Sequence, residues 1–143
     1  MRKAARALFL IGLLANSSSE GSDNWPNAFK CIFVQGYETV PENDHFKTDP
    51  IDSNDVLSFT IRSINIDDRT AQIVGNVAIT NVVALLTGNS MNFIEKTGVS
   101  INLTSVYNLM TPNQQFLAAH SRHVGSEESF LVSQRFGFCE AEW

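Results

Sequence analysis

The stretch from His120 to Arg135 gathers the side chains of this chain best suited to chemistry. It holds His120-Ser121-Arg122-His123 in one run, then Ser133 and Arg135. Histidine beside serine invites a hydrolase-type arrangement, in which an imidazole takes the proton of a serine hydroxyl and a carboxylate orients the ring. Ser121 or Ser133 would be the nucleophile, His120 or His123 the base, and Glu95 the carboxylate. Spacing argues against it. On an extended strand alternate residues face opposite ways, so His120 and Arg122 share one face while Ser121 and His123 share the other. The two histidines diverge and cannot chelate as a pair. No G-x-S-x-G elbow surrounds either serine, and a strand offers no equivalent strained turn. The competing reading makes Glu95, His120, Arg122, His123 and Arg135 a polar or ligand-binding cluster with no catalytic residue in it.

Arg122 needs a partner if its strand face is buried, and alternation places Phe116 and Ala118 on that same face. A buried guanidinium must be paired or hydrogen-bonded. Glu95 is the leading partner because it follows Met91 and Phe93 on an equally apolar face; a backbone carbonyl is the other choice. If that face points outward instead, Glu95 is an ordinary solvated charge. Arg135 falls on the following strand, within cross-strand reach. Asp44, Asp49, Asp52 and Asp55 lie in one acidic stretch that could attract Ca²⁺, but it lacks the ligand order of an EF-hand and reads as a solvated loop. No CxxC or HxxxH spacing, nucleotide fingerprint or phosphate-cradling loop occurs, so neither metal nor cofactor is expected. Asn102-Leu103-Thr104 is a glycosylation sequon, relevant in a eukaryotic secretory pathway.

The elements that must position these residues are strands. Period-2 alternation marks 29–37, 56–66, 70–74, 91–97, 100–107, 115–124 and 131–139, and the β-branched run 77–86 reads as a covered strand. Val56–Ile66 is the clearest, with Leu57, Phe59 and Ile61 alternating with Ser58, Thr60 and Arg62. Asp67-Asp68, Gly75-Asn76, Thr87–Ser90, Gly98 and Gly125–Glu128 supply the turns, while the Pro- and Asp-rich stretch 40–55 reads as a long loop. Segment 77–86 is apolar on both faces, and its Val82–Leu86 end would also suit a helical turn. Eight strands joined by short connections predict an all-β chain, a single antiparallel meander. It would form a closed small β-barrel, lipocalin-like or similar, with a two-sheet β-sandwich as the alternative.

The N-terminus has a separate purpose. Arg2, Lys3 and Arg6 precede the apolar run Ala7–Ala15, and small polar residues follow. That order is a secretory signal peptide over residues 1–19, cut after Ser17 or Ser19. The apolar run reaches about 14 Å as a helix, against the ~30 Å of a bilayer core. Residues 20–28 would be a loose leader and 29–143 the single barrel domain. Three of the 10 bases sit in the signal, so the exported part is more acidic than the formal −5 of the whole chain. Nucleic acid is thereby disfavoured as a partner, and no later segment is apolar enough for membrane insertion. The only two cysteines, Cys31 and Cys139, stand near the two ends of the barrel domain. In an oxidising compartment they are expected to pair, with two buried free thiols as the alternative. Closing so long a loop would contribute up to ~4.7 kcal/mol on a chain-entropy account.

The run from Ala71-Gln72-Ile73-Val74-Gly75-Asn76 through Phe93-Ile94-Glu95-Lys96-Thr97 to His120-Ser121-Arg122-His123, Ser133-Gln134 and the ending Gly137-Phe138-Cys139 resembles a group of small exported bacterial proteins of uncharacterised function. Those proteins tend to end in aromatic-Gly-x-Cys, close to the Arg-Phe-Gly-Phe-Cys here. The resemblance implies a bacterial periplasmic setting and a lone terminal disulfide, and it supplies no activity. The expectation from sequence is a periplasmic or secreted β-barrel that binds a small molecule or an envelope protein partner. An enzyme using His120 or His123, and a structural envelope protein without ligand, are the alternatives.

Overall fold

The computed structural model describes residues 25–143; the expected signal peptide lies outside them. Nine strands follow in chain order: β1 (Ala28–Glu42), β2 (His45–Pro50), β3 (Leu57–Asn65), β4 (Thr70–Val74), β5 (Ile79–Thr87), β6 (Ser90–Thr97), β7 (Ser100–Met110), β8 (Phe116–Gly125) and β9 (Phe130–Glu142). No helix occurs among the described residues. Each strand from β3 to β9 pairs antiparallel with the next, and β1 pairs with both β3 and β9. Eight strands therefore close into a barrel, and β2 stands outside it. The expected all-β meander and closed barrel are the observed fold, not the sandwich.

The long β1 makes this possible by serving two neighbours on one edge. Phe29 to Phe33 pair with Ile61 to Leu57 of β3, and Tyr37 to Glu42 pair with Pro50 to His45 of β2. The stretch expected to be a long loop, 40–55, is thus mostly a hairpin turning at Asn43-Asp44, with Asn43 at φ 56°. A short polar side chain tolerates that left-handed conformation, as a tight two-residue hairpin requires. The alternation that marks buried strands is missing from β2 because all six of its residues are exposed.

One end of the barrel is filled. Phe29, Phe33, Ile61, Met91, Phe93 and Val106 are fully buried inside it, each worth ~1.5–3 kcal/mol relative to exposure. Trp25 stacks on Phe116 at 6.2 Å and meets Phe29 edge-on at 6.5 Å. Within the expected loose leader, then, three of the four described residues are packed: Pro26 and Ala28 are buried and Trp25 rests on the core, while Asn27 is exposed. Cys31 and Cys139 face each other in register across the β1–β9 seam and form a disulfide. Next to it Gly137 lies so close to β1 that a Cβ there would overlap the Ile32 carbonyl oxygen and the Phe33 Cα.

Candidate functional site

The opposite end is the mouth, where the β4–β5, β6–β7 and β8–β9 turns meet. It opens into a cavity of about 420 Å³. Register decides what faces it. Asn102 of β7 stands opposite Glu95 of β6 and Arg122 of β8; Ser133 of β9 stands opposite Arg122 and Glu38 of β1. One layer deeper, His120 is flanked by Thr104 and Arg135. Leu57, Phe59 and Ile73, from β3 and β4, form an apolar wall on another part of the rim.

His120 is the most constrained of these groups. Its Nδ1 and the Thr104 hydroxyl share a buried hydrogen bond of 2.9 Å. Phe33 and Phe59 lie against the ring, each at 5.6 Å between centroids. Burial, reinforced by the Arg135 and Arg122 guanidinium groups and opposed by Glu95, lowers its pKa from 6.5 to about 4. The ring is neutral at pH 7, so it can donate or accept a hydrogen bond but carries no charge.

Arg135 is held by the chain itself. Its guanidinium donates to the Asp55 backbone oxygen at 2.6 Å and to Asp55 Oδ2 at 2.7 Å, clamping the β2–β3 connection to the barrel. The expected pairing of Arg122 with Glu95 is absent. Glu95 Oε2 instead accepts from Asn102 Nδ2 at 2.6 Å, and Arg122 is exposed at the rim with no side-chain hydrogen bond or ion pair among the described residues. The reason is topological. β7 separates β6 from β8, which puts the two backbones ~10 Å apart at the usual inter-strand spacing.

Of the residues singled out from sequence, Glu95, His120, Arg122, Ser133 and Arg135 line one cavity. His123 and Ser121 face outward, as alternation requires, and His123 is exposed. The hydrolase arrangement is not assembled: His120 bonds Thr104 rather than a serine, and Glu95 bonds Asn102 rather than a histidine. The four aspartates of the acidic stretch are dispersed. Asp44 sits in the β1–β2 turn and Asp49 in β2, Asp52 accepts from the Asn54 amide at 2.8 Å, and Asp55 holds Arg135. Among the described residues no three His, Cys, Asp or Glu side chains are grouped to hold a metal. The sequon Asn102 faces the cavity, where its side-chain amide donates to Glu95.

Glu38 belongs to the site without any signal in the sequence alternation, while Asn102 and Thr104 stand out only as a sequon and Asp55 only as part of the acidic stretch. Glu38 escapes a simple alternation from Phe29, Cys31 and Phe33, which would turn it outward. A register shift between Phe33 and Gln35 adds one residue and flips the parity, as a β-bulge does. Buried Gly36, whose added Cβ would overlap the Gln134 carbonyl oxygen, is the sequence trace of that close approach. No family model matches the chain, and comparisons with curated proteins and with solved structures find no match either.

Proposed function

We propose that this chain is an exported binding module of the bacterial periplasm that takes a small ligand at the open end of its barrel. One observation carries the reading. A cavity of about 420 Å³ gathers His120, Arg122, Ser133 and Glu95 against Leu57, Phe59 and Ile73. Small-ligand sites are concave, mostly apolar and provided with a few convergent polar groups, in volumes of roughly 300–1,000 Å³. The filled lower barrel provides the rigid support on which such a site depends. The Cys31–Cys139 bridge is consistent with an oxidising compartment, and the basic-apolar-small order of residues 1–19 supports export.

The test is a fragment screen read by amide resonances of the disulfide-bonded protein. Bound fragments should shift His120, Arg122 and Asn102 together. Ser133→Phe, which fills the cavity, should abolish those shifts while leaving the remaining spectrum native. A screen in which no fragment perturbs the mouth would overturn the reading.

A further inference from the structure

We infer that the ligand of the mouth is a small zwitterion with an apolar body, in chemical terms an amino acid or short peptide, its carboxylate on Arg122 and its ammonium on Glu95. The inference rests on the binding-module reading and adds the ligand class.

Charge order around the rim carries it. In cross-strand register the inward positions run Glu38, Ser133, Arg122, Asn102, Glu95 over five successive strands. A single cation therefore stands midway between two acids, with a neutral polar residue on either side. Arg122 and each acid are two strands apart, ~10 Å between backbones, and no ion pair joins Arg122 to either acid. The second guanidinium, Arg135, is already neutralised by Asp55. What remains open to a ligand is one positive group flanked by negative ones.

That pattern discriminates. A ligand carrying only a carboxylate would reach Arg122 between two like charges, and one carrying only an ammonium would reach Glu95 beside an uncompensated guanidinium. Either leaves an unmatched charge to be desolvated. A ligand with both charges, a few ångströms apart, meets each of them and brings no net charge into the cavity. Arg122 suits the carboxylate because its planar fork donates two parallel hydrogen bonds. The uncharged partner groups are also in place, with the Ser133 hydroxyl beside Arg122 and Asn102 beside Glu95.

The rest of the rim specifies the body. Leu57, Phe59 and Ile73 give the β3–β4 side of the cavity an apolar surface, and Val124 and Leu131 add apolar contacts beside the polar groups of β8 and β9. At about 30 Å³ per water the cavity holds roughly 14 waters, which is space for an amino acid with a large side chain or a small dipeptide. An aliphatic or aromatic side chain lies on that wall while the head group spans β6 to β8.

Calorimetric titration of the exported, disulfide-bonded protein tests this with leucine, phenylalanine and leucyl-leucine. Each is compared with its N-acetylated form, which lacks the ammonium, and its amide, which lacks the carboxylate. The zwitterions should bind about tenfold or more tightly than either form, the loss expected when a charge-assisted hydrogen bond goes unmade. Arg122→Gln should erase the advantage over the amide and Glu95→Gln the advantage over the N-acetyl form, with Arg122→Lys restoring part of the former. Near-ultraviolet circular dichroism checks that each variant is folded. Equal binding of a singly charged form, or no binding of any zwitterion, overturns the inference. If the fragment screen still finds other ligands at the mouth, the binding-module reading stands without it; if the screen is also empty, both fall.

Discussion

Inside the barrel His120 and Thr104 stand in register on adjacent strands and share a hydrogen bond of 2.9 Å. This bond places a neutral imidazole beneath a rim that carries two guanidinium groups, and it makes the fold sensitive to acid. Protonating the ring in place would put a third positive charge beside Arg122 and Arg135 in a buried setting. The unfolded chain binds that proton near pH 6.5, whereas the native ring takes it only at about 4. Stability therefore falls as pH drops from about 6.5 towards 4, and below that window this group adds no further loss. The full loss is about 3 kcal/mol. Urea unfolding of wild type and His120→Gln at pH 7 and pH 4 checks it: the variant should show a smaller decrease, by roughly that amount.

Arg122 and Glu95 should behave as independent residues. Arg122→Ala should change unfolding free energy by less than ~0.5 kcal/mol, as exposed substitutions generally do. Glu95→Gln keeps an oxygen for Asn102 and should stay within ~1 kcal/mol. The double variant should equal the sum to within ~0.5 kcal/mol. A buried ion pair would instead give strong coupling, with several kcal/mol lost on removing either partner.

The Cys31–Cys139 bridge, with its sequence separation of 108, should stabilise the fold by about 2–5 kcal/mol. Replacing both cysteines by alanine should lower the denaturation midpoint accordingly. Denatured, unreduced protein should titrate no free thiol, and reduction should release two.

Gly137→Ala should strain the β1–β9 seam, because the added Cβ would overlap the Ile32 carbonyl oxygen, a backbone atom that no rotamer change can remove. A loss of about 3 kcal/mol is expected, at the upper end of overpacking costs. Gly125→Ala meets nothing within 4 Å and is the control; thermal unfolding of both variants separates the two cases.

Much of this site is legible from alternation alone. Phe116 and Ala118 assign His120 and Arg122 to one inward-facing side of β8; the structure buries His120 there, while Arg122 lines the cavity mouth and is exposed. The same period places Ser133 and Arg135 in phase with Cys139. Legibility ends where period 2 is broken or has nothing to report. The irregularity after Phe33 reverses the faces of β1 and brings Glu38 inward. In β2, with both faces exposed, no alternation arises, and Pro41, Pro50 and the aspartates imitate a loop. The Glu95–Arg122 expectation failed for another reason. Two residues can each face inward and still be a strand apart, and the intervening β7 presents Asn102 to Glu95 first.

Closing a barrel removes the free strand edges through which β-proteins polymerise, yet among the described residues an edge survives. It belongs to β2, which pairs with β1 alone. Its six residues, His45-Phe46-Lys47-Thr48-Asp49-Pro50, are all exposed. Lys47 and Asp49 form an ion pair at 3.1 Å, and Pro50 has no amide hydrogen to offer an incoming strand. Charge and proline are the usual guards of such an edge. Resistance to amyloid-like chain addition is thus concentrated in a short segment outside the barrel wall, which can lose that protection by mutation while the barrel remains intact.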